Sequence, residues 1–344
     1  MQNAECRMQN GNPRAAVRTG LRLCALHSAL CTCLLSGCTW LDKIRTRPDG
    51  AATATGGVTP ARAEQLVERL NQNAQAVSVV RYDDVSITLD GPDVPVGGGS
   101  LANSSLIAAK PRLFRLNAGK NIRRDLLQVG SNEQEFWLYG DVPGQDKMFL
   151  VCAHKDFPKA ANKLPVPIDP DWALLALGLI GTDPDVSLYK ADTNTRRREY
   201  TLTRDVTAPG GRKLERTTVF AADVPTGDQP LVKRHVISEP GGKKVVATAD
   251  VLSVYRLPGN EQAEVPTKMV LEWPEQKFKM TLRMQTPVVN EPLDPARVQE
   301  WFGRPATDTR PQNLADVTFQ PTARGAAPAE RRGVFGQLVR SPKR

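Results

Sequence analysis

The stretch Met269-Val270-Leu271-Glu272-Trp273-Pro274-Glu275-Gln276-Lys277-Phe278-Lys279-Met280-Thr281-Leu282-Arg283-Met284 decides the fold class. In its second half Phe278, Met280, Leu282 and Met284 alternate with Lys277, Lys279, Thr281 and Arg283. That two-residue period belongs to a strand with one buried face. In the first half Met269, Leu271 and Trp273 alternate with Val270 and Glu272, and Pro274-Glu275-Gln276 supplies a turn between Trp273 and Phe278. Folded at that turn, the two halves place both apolar sets on one face of a hairpin.

The same signature recurs outward from this hairpin. Val85, Ile87 and Leu89 alternate with Ser86 and Thr88, and Phe114 and Leu116 flank Arg115. Pro209-Gly210-Gly211, Pro225-Thr226-Gly227-Asp228, Pro240-Gly241-Gly242 and Pro258-Gly259-Asn260 punctuate the chain at hairpin spacing, each supplying turn backbone that other residues resist. The result is a mainly β (α+β) meander of roughly eleven to thirteen strands, more than a flat open sheet carries without curling. A single strongly curved antiparallel sheet or incomplete β-barrel over residues 59–303 is expected, with two packed half-domains as the other arrangement.

Two helices are expected to cover its concave face. Thr59-Pro60 opens the first, and Leu66, Val67, Leu70, Ala74 and Val77 then recur at three- and four-residue steps, an amphipathic stripe over 61–77. Asp169-Pro170 opens the second, whose Trp172, Leu174, Leu175, Leu177 and Leu179 leave almost no polar side before Gly181. A helix so apolar is buried or roofs an apolar space.

Far N-terminal to the strands, Leu35-Ser36-Gly37-Cys38 closes a mostly apolar run from Leu23 to Leu35 that follows Arg7, Arg14, Arg18 and Arg22. The order is that of a secretory signal, and the apolar run falls short of the roughly 20 residues that span a bilayer. The four closing residues resemble the lipobox of bacterial lipoproteins. That resemblance implies cleavage before Cys38, acylation of Cys38 and a protein held on a membrane by its chains, since more than one chain gives stable anchoring. Residues 1–37 are then a signal peptide and 38–58 a flexible tether containing Asp49-Gly50-Ala51-Ala52-Thr53-Ala54-Thr55-Gly56-Gly57, which has nothing to bury.

This cut changes the chemistry that remains. Of six cysteines, Cys6, Cys24, Cys31 and Cys33 leave with the signal and Cys38 is acylated. Cys152 stays alone in the apolar run Met148 to Ala153, so a buried hydrophobe is expected and a disulfide framework or Cys-type zinc site is excluded. The four Arg and one Glu before Cys38 take the net charge from +9 to +6. Part of the remainder sits in 304–344, a Pro/Ala/Arg-rich stretch read as a disordered tail.

The ordered body resembles the LolA/LolB-like lipoprotein carriers. The resemblance rests on the helix 61–77 and the strand Tyr82 to Leu89, then on Lys110-Pro111-Arg112-Leu113-Phe114-Arg115, Ser131-Asn132-Glu133 and Phe136-Trp137-Leu138-Tyr139. Ser131-Asn132-Glu133 departs from the Asp-Gly turn usual there. The resemblance implies an unclosed barrel with a helical lid, and a cavity for acyl chains lined by Leu66, Leu70, Phe114, Leu116, Phe136, Leu138, Leu271, Trp273, Phe278, Met280 and Leu282. It implies lipoproteins or lipids as cargo and an envelope protein as a further partner, and Thr39 after the cysteine, in place of the Asp that marks inner-membrane retention in some bacteria, favours outer-membrane placement facing the periplasm. Being anchored, the chain is more similar to an acceptor or sensor than to a diffusing shuttle. The alternative is a scaffold or lipid-responsive stress sensor whose cavity is filled.

No cofactor, metal site or catalytic residue is expected. His154 and His235 lie on separate segments, His235 on a strand exterior, and Asp83 and Asp84 point to opposite strand faces. Arg115 reads as a solvated strand residue. Nucleic acid is not an expected partner, because no aromatic-basic motif accompanies the charge.

Overall fold

The computed structural model of the chain describes residues 58–91, 100–120, 123–141, 147–160, 170–208, 211–223 and 226–317. The signal segment, Cys38, nearly all of the tether, Asp169 and residues 318–344 lie outside them. In chain order the elements are α1 (Ala63–Ala76), β1 (Val79–Asp90), β2 (Ser100–Ala109), β3 (Leu113–Lys120), β4 (Arg123–Ser131), β5 (Glu135–Gly140) and β6 (Met148–Ala153). There follow α2 (Phe157–Ala160), α3 (Pro170–Ala176), β7 (Tyr189–Asn194), β8 (Glu199–Thr207), β9 (Lys213–Ala221), β10 (Val232–Ser238), β11 (Val245–Leu257), β12 (Asn260–Trp273) and β13 (Phe278–Met284). The last elements are β14 (Val288–Val289), α4 (Pro295–Phe302) and β15 (Gln312–Asn313).

All strands join one sheet, in the order β15-β6-β5-β4-β3-β2-β1-β13-β12-β11-β10-β9-β8-β7, with β14 against β1. Every hairpin is antiparallel, and only β15, lying parallel to β6, departs from the expected pattern among the described strands. The two ends of the order do not pair with each other, so the sheet is open. A sheet of this many strands curls rather than staying flat, and its concave face carries the main core, which runs from Met148, Leu150 and Cys152 of β6 to Met269, Leu271 and Trp273 of β12.

The hairpin read first in the sequence forms with Trp273 opposite Phe278, Leu271 opposite Met280 and Met269 opposite Leu282. β13 then joins β1, so Leu282 faces Ile87 and Met280 faces Leu89, and the chain's two halves meet at its centre. In the Lys110–Arg115 segment, Leu113 pairs with Ala109 and Phe114 with Ala108. At Ser131-Asn132-Glu133 the Asn132 Oδ1 accepts the backbone N–H of Gln134 and Glu135, at 2.9 and 3.0 Å. An asparagine makes this turn without glycine.

Helix α1 buries Leu66, Val67, Leu70 and Ala74, the stripe read from its periodicity. It begins at Ala63, with Arg62 as a cap that gives no side-chain bond, rather than at Thr59-Pro60. The reason lies across the sheet: the Ala61 N–H donates to Thr193 Oγ1 on β7 at 2.9 Å, which holds the entry chain extended.

Helix α4 was not read from the sequence, although Asp294-Pro295 is the same opening signal used for α3. The Asp294 side chain accepts the Arg297 N–H, and Phe302, Val298 and Trp301 cover Val79, Ile107, Ala109 and Leu113 on the convex face of β1–β3. Arg115 also lies on that side and is not simply solvated. Its guanidinium donates to the carbonyls of Glu300 and Trp301 at 3.1 and 3.2 Å, groups left without partners at a helix C-terminus. Beyond α4, in the stretch assigned to the tail, Leu314 and Val317 are buried in the main core.

On the same convex face Gly130 pairs with Trp137, and a Cβ at 130 would stand 2.2 Å from Trp137 Cζ2. Only glycine lets that fully buried indole lie flat on the strand. Gly130→Ala is expected to cost about 3 kcal/mol, the upper end for overpacking, read as a lower urea midpoint with an unchanged slope.

Candidate functional site

The concave face is apolar over most of its width. Phe114, Leu116, Phe136, Leu271, Trp273, Met280 and Leu282, all named from the sequence as cavity lining, belong to one buried cluster, and Leu138 and Phe278 pack against it. Leu66 and Leu70 do not join them. They sit over Leu202 and Phe220 at the β7–β9 end of the sheet. Helix α1 therefore covers one end of the concave face and α3 another part of it.

Helix α3 is roofed onto the sheet almost without polar contact. Leu174, Leu175, Ala176 and Leu177 are all buried. Trp172 stands edge-on to Trp273 at 5.7 Å between ring centroids, and Trp273 also meets Phe278 at 5.7 Å. The Nε1 atoms of both Trp172 and Trp273 are buried without a hydrogen-bond partner, a cost each indole carries in this closed position. At the outer edge Arg112 holds Asp171 through paired bonds of 3.1 and 3.0 Å. As the pair is about half exposed, it contributes little to stability.

Where α1 and the segment after α3 meet, two asparagines make the joint. Asn73 Nδ2 donates to the Gly178 carbonyl at 2.9 Å, Asn73 Oδ1 accepts the Glu264 N–H at 2.7 Å, and Asn71 Oδ1 accepts the Thr182 N–H at 2.7 Å. Gly178 has φ +78, and a side chain there would collide with Asn73. The joint was not legible in the sequence, because polar residues on a helix face ordinarily mark the solvent side.

Beneath it lies a small open cleft, with walls that include Leu70, Leu175, Ile180, Val232 and Val254 and with His235 and Glu264 in its lining. Of the expected lining residues, Leu70 alone reaches it. His235 corrects the expectation of a strand exterior: it is 2 % exposed, in register with Thr218 and Ala249 on the concave side. A register slip around Val232–Arg234 breaks the simple alternation from Lys233 that placed it outside.

Thr218 Oγ1 lies 3.1 Å from His235 Nδ1, and burial together with the Arg216 charge pushes the imidazole pKa down to about 3. Glu264 is held differently. Its Oε1 accepts the N–H groups of Leu231 and Val232 at 2.8 and 3.1 Å, while burial raises its pKa. His154 has a local role, with Nε2 2.6 Å from the Asn132 carbonyl in the β4–β5 turn. Cys152 is buried and free, and burial raises its thiol pKa. Asp83 pairs with Arg81, and Asp84 accepts from Gln285.

No family model and no curated protein matches this chain. Solved structures do. A putative outer membrane lipoprotein-sorting protein domain from Vibrio parahaemolyticus is similar over 70% of this chain and 98% of its own, with TM-score 0.46 and 8% identity. A DUF1329 family protein from Desulfovibrio piger covers 69% of this chain and 95% of its own, with TM-score 0.45 and 13% identity. A LolA superfamily protein from Nitrosomonas europaea covers 68% and 96%, with TM-score 0.40 and 9% identity.

Proposed function

We propose that this chain is a non-enzymatic protein of the bacterial envelope, anchored through an acylated Cys38, that receives acyl chains of lipoproteins or lipids on the concave face of its open sheet. The observation that carries the reading is the roof: a helix apolar nearly all round, resting on apolar strands with two unpaired indole N–H groups at the contact. Little directional bonding holds α3 there, and the Met269, Met280 and Met284 side chains in the same core adapt readily to flexible chains. Acceptance or presentation of cargo suits a tethered protein better than shuttling does.

The filled-cavity alternative, a scaffold or lipid-responsive sensor, has an observation of its own. Each named lining residue on the main face is buried or packed against the core with the roof closed. Uptake separates the two. A Cys38→Ser chain, soluble if the anchor reading holds, is expected to bind a fluorescent long-chain fatty acid saturably and to carry lipid in native mass spectrometry. Absence of both results would defeat the carrier reading and leave the sensor, which requires a protein partner recoverable by crosslinking in membranes.

A further inference from the structure

The β7–β9 end of the concave face carries a cationic site unlike the rest of that face. Arg204 and Arg216 stand directly opposite each other across β8 and β9, where like charges repel. Both fall on the concave side, in the alternation that includes buried Leu202, Leu214 and Phe220, while the neighbouring acids Asp205 and Glu215 fall on the other side.

Both guanidinium groups are oriented by hydroxyl oxygens. Arg204 Nη1 donates to Tyr189 Oη at 2.9 Å, and its guanidinium carbon lies 5.5 Å from the centre of that ring. Arg216 Nη2 donates to Thr182 Oγ1 at 2.8 Å, and Thr182 Oγ1 lies 2.6 Å from Tyr189 Oη. Tyr189 in turn donates to the Asp183 carbonyl at 3.0 Å, which leaves the Thr182 hydroxyl to donate to Tyr189. One hydroxyl chain thus fixes the two cations relative to each other. Arg204 Nε, finally, is buried with no hydrogen-bond partner, an arrangement costly for a charged group until an acceptor arrives.

From this arrangement we infer that Arg204 and Arg216 form a binding site for the anionic head, a carboxylate or phosphate, of a single-chain amphiphile whose tail lies on the concave face. The inference rests on the acyl-binding reading and adds to it the charge of the ligand. Planar guanidinium groups suit oxyanions through paired N–H donors. The site also adjoins apolar core, since buried Leu202 and Phe220 lie on the same side of β8 and β9 beneath α1 and the Arg216 charge is felt by His235 in the cleft. A free inorganic anion would meet the cations but make no use of apolar neighbours.

The test compares lauric acid with 1-dodecanol, which share a chain length, by calorimetry on the Cys38→Ser chain near neutral pH. Lauric acid is expected to bind at least tenfold tighter. That advantage should vanish in an Arg204→Gln/Arg216→Gln double variant, with dodecanol binding unchanged and circular dichroism confirming the fold. An Arg204→Lys variant should keep part of the advantage. Equal binding of the two amphiphiles by the parent chain would overturn the anionic-head inference while leaving the acyl reading intact, and needs no variant to fold. If neither binds, the acyl reading itself fails. Thermal stabilisation by inorganic phosphate as large as that by laurate would overturn the amphiphile as occupant.

Discussion

Trp273→Ala is expected to lower the folding stability of this protein by about 3–5 kcal/mol, the range for truncating a large aromatic in a packed core. Trp273 is 1 % exposed and touches both Trp172 of the α3 roof and Phe278 across the hairpin. Its loss therefore removes the edge-on contact with Trp172 of α3 as well as the register partner of Phe278. Urea unfolding followed by circular dichroism gives the number. Leu252→Ala, at a side chain 47 % exposed, serves as the comparison and should move stability by no more than about 0.5 kcal/mol. If Trp273→Ala also stays within that margin, the closed roof is not the ground state and α3 does not rest on this tryptophan.

The contrast between Trp273 and His235 shows what could be read in the chain. The period-two pattern around Trp273 is local, and a turn between matching apolar sets determines register by itself. Likewise the α1 stripe reports its own burial. His235 sits on a strand whose alternation is interrupted by a slip against β9, so counting from Lys233 gives the wrong face. Long-range contacts were harder still. Asn73 meets Gly178 and Glu264, and Arg115 meets the end of α4, through pairings more than a hundred residues apart with no periodic trace. The lining set divided for a related reason: periodicity states that Leu66 and Leu70 are buried, but strand order decides beneath which part of the sheet. The arginine pair needed register too, because neither Arg204 nor Arg216 is unusual until β8 and β9 are aligned.

The buried imidazole should also make the protein lose stability in acid. In the unfolded chain a histidine takes a proton near pH 6.5, whereas in the fold burial and the Arg216 charge hold His235 neutral down to about pH 3. Between those values the unfolded state binds the extra proton, so stability rises with pH and is lost as pH falls, by about 1.4 kcal/mol per pH unit. Glu264 works in the opposite sense. Its raised pKa means that the fold binds a proton more tightly than the unfolded chain, which favours the folded state as pH falls and is lost as pH rises. Exposed Asp185 and Asp223, whose partners lower their pKa, add acid sensitivity of their own below the ordinary aspartate range. His235→Gln separates these contributions, because the amide can still meet Thr218 Oγ1 but takes up no proton. Measured by urea unfolding at stepped pH from about 6 to 4, the parent chain should fall more steeply than the variant, by close to the single-proton slope. Parallel slopes would mean that the imidazole is protonated within the fold, and the cleft would then hold a cation beside Arg216 instead of a neutral ring.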